Sequence, residues 1–210
     1  MNKLLKLSAI ALLASSTSLM AQTKSFEGAS IGIFGGALGA EADGTVTGTA
    51  TGGSGSIGKV TGIAGVDVSY AFAGGALAVG ATYVPMKAKF GGGSGNDATS
   101  GTTITGELKD HYTIYIQPTY VVNKDAALFA KFAYAHADVK TTNTTTAPSD
   151  VEGWGYGVGL KTFLTPNTFV QVEGIYTDYD SMKGTKTNGA AGTTSVSADL
   201  KTVQALITLG

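Results

Sequence analysis

The chain has 210 residues, with 31 Gly, 4 Pro, no Cys, a charged fraction of 14% and a formal net charge of -1. An average soluble domain carries about 25% charged residues and about half this share of glycine, so the composition is not that of an ordinary soluble domain. Four prolines exclude collagen, 43% hydrophobic residues with almost no net charge exclude a disordered chain, and fourteen cations that are all lysines leave no basic excess for nucleic acid.

The first 21 residues read as a secretory signal peptide. Lys3 and Lys6 precede an apolar stretch, Leu7 to Leu13, and small or polar residues run from Ser15 to Ala21. That stretch is far shorter than the roughly 20 residues of a membrane-spanning helix. Cleavage after Ala21 leaves twelve cations and fifteen anions, a net charge near -3. Zero cysteines remove disulfides, thiolate metal sites, thiol nucleophiles and a lipoprotein anchor.

From residue 22 onward the hydrophobic signal has period two. Val60, Gly62, Ala64, Val66, Val68, Tyr70 and Phe72 line one face, against Thr61, Asp67 and Ser69. The alternation returns from Tyr112 to Val122, and again around Lys131, Lys161 and Gln171/Glu173. Eight strands are expected, at roughly 27–40, 57–73, 75–90, 107–123, 126–140, 153–165, 168–180 and 196–210. Gly/Thr/Ser/Asn-rich stretches near 41–56, 91–106, 141–152 and 181–195 alternate with tight turns at Ala73-Gly74-Gly75, Asn123-Lys124-Asp125 and Thr165-Pro166-Asn167.

This long-short order puts every long connection at one end of an even-stranded antiparallel sheet, and the turns with both termini at the other. Bacterial outer-membrane barrels are built this way, with short periplasmic turns and longer external loops. The fold class is therefore all-β, an eight-stranded antiparallel up-and-down transmembrane β-barrel over residues 22–210. A nonpolar band about 25 Å tall, crossed at about 40°, needs roughly ten residues per strand; the greasy face from Tyr112 to Val122 supplies eleven.

Aromatic residues on the outward set fall at two heights, as membrane girdles require. Tyr112, Tyr134, Trp154, Tyr156 and Tyr176 lie toward the long-loop ends, and Tyr70, Phe72 and Tyr120 toward the turns. A soluble sandwich or lipocalin-like barrel would turn these rings inward. The opposite face argues against that, because Asp67, Lys109, Gln117, Lys131, Lys161, Gln171 and Glu173 suit a narrow polar interior.

Four stretches carry a resemblance: Tyr115 to Tyr120 (YIQPTY), Phe129 to Tyr134 (FAKFAY), Gly153 to Leu164 (GWGYGVGLKTFL) and Phe169 to Glu173 (FVQVE). The chain resembles the small bacterial outer-membrane β-barrel family of OmpA-type barrel domains, OmpX-like proteins and opacity-like "porin family" proteins. The resemblance implies insertion by the barrel-assembly machinery with periplasmic chaperones, a monomer, and contact with outer-membrane lipids. Family members range from adhesins to stabilising surface proteins. Two features depart from the family: the last strand presents Val203, Ala205, Ile207 and Leu209 and reaches Gly210 without an aromatic, and the peptidoglycan-binding domain of full OmpA-type proteins is not expected.

Candidate chemistry is sparse. Asp67, Gln117, Lys131 and Glu173 sit six residues from the nearest tight turn and Lys161 four, so together they form a lumen polar layer. Lys161 with Glu173, or Lys131 with Asp67 across the lumen, would neutralise it; a satisfied plug is expected before a narrow ion pathway. An enzyme would need a histidine beside a nucleophile or carboxylates. His111 points inward near Glu107 and Lys109, His136 outward beside Tyr134, and Ser30 and Ser69 lie on distant strands. No catalytic, cofactor-binding or metal site is expected. Gly52-Gly53-Ser54-Gly55 and Gly91-Gly92-Gly93-Ser94-Gly95 lack the lysine of a phosphate loop and read as loop tips. Asn143 formally matches a glycosylation acceptor, and Pro118 should interrupt its strand with a bulge or a broken hydrogen bond. The expected role is structural or adhesin-like, with external loops meeting an outside ligand or host surface. A small-solute channel and a barrel enzyme are the alternatives.

Overall fold

The computed structural model describes residues 26–48, 53–91, 105–142, 149–187 and 193–210. The expected signal peptide, Gly52, residues 92–95 and Asn143 lie outside them. Ten strand segments run in chain order: β1 (Gly28–Gly48), β2 (Gly53–Phe72), β3 (Leu77–Val84), β4 (Ala88–Gly91), β5 (Thr105–Val121), β6 (Ala126–Thr142), β7 (Asp150–Thr165), β8 (Thr168–Tyr179), β9 (Met182–Thr187) and β10 (Thr193–Leu209). Neighbours pair antiparallel in the order β1-β2-β3-β5-β6-β7-β8-β10-β9, and β1 pairs with β10 to close the sheet.

Ten segments make eight staves, because β4 continues β3 against β5 and β9 continues β8 against β10. Each break shifts the register by one residue, at Pro85-Met86-Lys87 and at Asp180-Ser181. Closure is extensive, since β1 and β10 stay in register from Ile33↔Leu209 to Gly48↔Thr194.

The three tight turns form as the sequence indicates. Ala73 and Gly74 both take positive φ (54° and 65°), as a mirror-image hairpin turn demands, and the Gly75 amide donates to the Phe72 carbonyl at 3.1 Å. The Asn123 side chain accepts from the Asp125 and Ala126 amides, both at 2.9 Å.

At the long-connection end the strands run well past their expected limits. Residues 41–48 and 53–56, expected as loop, form a β1–β2 hairpin, and β9 with the start of β10 occupies most of 181–195. Gly53 to Gly55 therefore belong to a strand and not to a loop tip. Pro118 keeps its register with Leu77, and the β5–β6 ladder lapses between Ile116↔Phe132 and Thr119↔Phe129 without a shift. The β5 bulge lies elsewhere, between Lys109 and Tyr112, where Asp110 takes φ 46°. That extra residue reverses side-chain parity. Leu108 turns inward, and Lys109, expected in the lumen, shares the outward face of its partner Asp138.

Candidate functional site

The inward set fills the lumen in three layers. At the turn end Phe26 packs edge-on against Phe163 with centroids 4.9 Å apart, alongside buried Val121 and Ala127. The polar layer follows. Asp67, Gln117, Lys131, Lys161 and Glu173 are all buried, Lys131 to 1% exposure. Toward the long-connection end comes a second apolar layer, with Phe34, Leu38, Ile63, Leu108, Leu200 and Leu206 among its members.

Within the polar layer the ion pairing differs from the two pairings expected. Lys131 Nζ on β6 lies 2.5 Å from Glu173 Oε2 on β8, reaching across the intervening β7. Glycine makes that reach physically open: β7 turns Gly157 and Gly159 inward, and a Cβ on Gly157 would stand 3.4 Å from the Lys131 Cβ. Gln171 Nε2 donates to the same Glu173 oxygen at 3.3 Å. The Tyr115 hydroxyl donates to both oxygens of Asp67, at 3.0 and 2.9 Å, and the Lys131 ammonium sits 4.2 Å above the Tyr115 ring. Lys161 has a different neighbour again: its ammonium lies 3.8 Å from the Phe169 ring centroid. Two cations and two anions thus share one level, bridged by a tyrosine and capped by a phenylalanine.

Four inward aromatics lie over a glycine on the adjacent strand. A Cβ added to Gly65, Gly80, Gly159 or Gly210 would fall 2.3–2.5 Å from ring atoms of Phe34, Tyr115, Phe129 or Phe169 respectively. Each glycine is the ring's cross-strand partner. Glycine here is the space into which the ring folds.

The outward set is a continuous apolar band. Ile33, Ile114, Val158 and Ile207 are each at least 60% exposed, and Tyr70, Tyr112, Tyr120, Trp154, Tyr156 and Tyr176 stand outward at its two margins, joined by the half-buried Tyr134 and Phe72. A water-soluble protein does not expose such a girdled belt. Residues 9–201 match the outer membrane protein beta-barrel domain. The chain belongs to that family.

Several solved outer-membrane proteins align along most of the chain, and OprG shares its fold. OprG from Pseudomonas aeruginosa aligns over 87% of this chain and 96% of its own at 12% identity, with a TM-score of 0.57. Ail, the attachment invasion locus protein of Yersinia pestis, aligns over 86% and 99% at 15% identity (TM-score 0.36). The outer membrane protease OmpT from Escherichia coli aligns over 87% and 97% at 10% identity (TM-score 0.46). No curated protein matches the chain.

In this outer-membrane barrel the two histidines occupy separate places. His111 is buried at the second apolar layer, where its Nε2 meets the Tyr179 hydroxyl at 2.9 Å. His136 lies on the outer wall, its ring stacked on Tyr112 with centroids 4.9 Å apart. It faces Glu152 across the β6–β7 register. Sequence reading placed His136 beside Tyr134 but not beside Glu152 and Asp150, because the β6–β7 register is not written in either strand alone.

Beyond the band, the outward faces of β1, β10 and β9 continue as a hydroxyl-rich sheet. Thr45, Thr47, Ser195, Ser197, Thr185 and Lys183 line a shallow concavity of about 370 Å³ there.

Proposed function

We propose that this barrel is a non-enzymatic surface protein of the bacterial outer membrane. It is exported through the 1–21 signal peptide and oriented with its turns in the periplasm. It acts through the strands and connections that project outside, as a structural or adhesin-like element. The carrying observation is the lumen, closed at three levels by Phe26/Phe163, by the Lys131–Glu173 layer and by the Leu38/Leu108/Leu200 layer. An eight-stranded barrel has room for little beyond its own side chains, and a buried polar layer packed between two mainly apolar ones supports a filled bore over a wide pore. Function then falls to the exposed end, where the β1–β2 and β9–β10 hairpins extend. The commitment of His111 to Tyr179 within an apolar layer supports the non-enzymatic reading.

Two measurements test this. In planar bilayers, folded protein should insert without unitary conductance steps; steady steps whose ion selectivity changes in Lys131→Met would establish a narrow channel instead. Cells displaying the full chain should attach to host-surface matrix more strongly than cells displaying a form with residues 44–55 and 184–196 replaced by short turns. Equal attachment would remove the adhesin-like role and leave the structural one.

A further inference from the structure

Just beyond the aromatic margin, the outer wall of β6 and β7 holds four metal-ligating side chains in a two-by-two block. His136 stands opposite Glu152 in the register, and Asp138 opposite Asp150. Residues two apart on a strand share a face, so all four project the same way. His136 Nε2 lies 3.7 Å from Asp138 Oδ1, and its Nδ1 lies 3.9 Å from Glu152 Oε1. One ligand atom from each of His136, Asp150 and Glu152 falls within 4.8 Å of the others.

Two of these three groups are held by a neighbour outside the block. Tyr112 stacks on the imidazole at an interplanar angle of 28°, and Ser149 Oγ donates to Asp150 Oδ1 at 2.7 Å. Such outer partners orient ligands for a metal. Among the described residues neither Asp150 nor Glu152 has a lysine within ion-pair distance, so their mutual repulsion is uncompensated. A tetrahedral ion with bonds of about 2.1 Å places its ligand atoms about 3.4 Å apart. Asp150 and Glu152 are both exposed, so no surrounding core fixes their carboxylates at the present spacing.

We infer that His136, Asp150 and Glu152, with Asp138 alongside, bind a divalent first-row transition metal, with Zn2+ as the representative ion. An imidazole nitrogen among carboxylates favours such ions over Ca2+ and Mg2+, which take all-oxygen shells. Its ligands come from two strands and meet only through their register, so no spacing within either strand announces the site. A metal there would clamp β6 to β7 at the rim.

The chain carries its own reporter. Trp154 is the single tryptophan, two residues along β7 from Glu152 on the same face, with its ring 5.8 Å from Tyr134. Full-length folded protein without a histidine tag, in detergent micelles, is titrated with Ni2+, followed by Zn2+ competition and calorimetry. We expect saturable quenching of Trp154, displacement by Zn2+ at one equivalent, and no displacement by Ca2+ at the same concentration. His136→Gln and Glu152→Gln should each weaken binding about tenfold or more, with heat-modifiable gel mobility showing that both remain folded. Asp150→Asn supplies a third variant should either misfold. Absence of saturable quenching, or quenching that the folded variants leave unchanged, would overturn the site; displacement by Ca2+ as readily as by Zn2+ would overturn the assignment to a transition metal.

Discussion

Lys131→Met tests the lumen directly. The substitution keeps the unbranched stem and removes one of two cations from a layer that holds two buried carboxylates, Asp67 and Glu173, leaving a net negative charge. At 2.5 Å an effective dielectric of about 20 gives an attraction of about 7 kcal/mol. Desolvation of both groups offsets much of that, and breaking one side of a buried pair typically costs about 3–5 kcal/mol. The Lys131 ammonium has no aligned hydrogen-bond partner, so Coulomb attraction and the Tyr115 ring carry its contribution. Denaturant unfolding of the micelle-bound barrel, read by Trp154 fluorescence and by gel mobility, should show Lys131→Met destabilised by about 3–5 kcal/mol. Adding Glu173→Leu returns the layer to one cation and one anion, and should recover most of the loss, because well-packed apolar replacements of buried pairs are commonly neutral or better. A single variant within about 1 kcal/mol of the parent would refute a working ion pair at this position; a double variant no better than the single would refute the unpaired charge as the cause.

Three further outcomes follow from the same packing. Tyr115→Phe removes both hydrogen bonds to the buried Asp67 carboxylate and should cost about 1.5–3 kcal/mol in the same unfolding assay, whereas the exposed Tyr70→Phe should cost far less. Gly80→Ala would place a Cβ 2.4 Å from the Tyr115 ring and 2.7 Å from the Val68 carbonyl, and should cost about 1–3 kcal/mol. Since both changes break the Tyr115–Asp67 contact, the double variant should lose less than the sum; strict additivity would show that Gly80 does not act through Tyr115. On the lipid side, Ile116 lies midway between the Tyr112 and Tyr120 margins of β5, so Ile116→Arg should cost about 2–4 kcal/mol in phospholipid bilayers. An unchanged folding free energy there would remove Ile116 from the bilayer's centre.

How much of this was legible beforehand depended on whether the two faces of a strand differ chemically. On β5 to β8 they do: Ile114 and Ile116 alternate with Tyr115 and Gln117, and Phe132 follows Lys131, so side-chain direction was readable. On β1 and β10 both faces are apolar. Ile31 and Ile33 face out while Phe34 and Leu38 face in, and Val203 and Ile207 face out while Leu200 and Leu206 face in. The second apolar layer was hidden for that reason. Partner choice was also unreadable, because the Lys131–Glu173 contact depends on inward glycines of a third strand. The extended hairpins were missed because glycine, threonine and serine favour loops by composition, yet the ladder from Gly39↔Val203 to Gly48↔Thr194 holds them as strand. The β5 bulge has only Asp110 as its signal, a residue type that tolerates positive φ without announcing it.

The glycine excess acquires a specific cause once the lumen is seen. A closed eight-stranded wall leaves room for one layer of side chains, and a large ring pointing inward collides with the strand beside it unless that strand offers no Cβ at the opposing position. Phe34, Tyr115, Phe129 and Phe169 each have such a position, at Gly65, Gly80, Gly159 and Gly210. The same condition lets Lys131 pass over β7 to Glu173. Glycine therefore permits large side chains in the lumen. A barrel tuned for conduction would use small inward residues to keep a wetted path open. Here the small residues sit beside large ones that fill the space they leave, and that packing is the ground on which the proposed surface role rests.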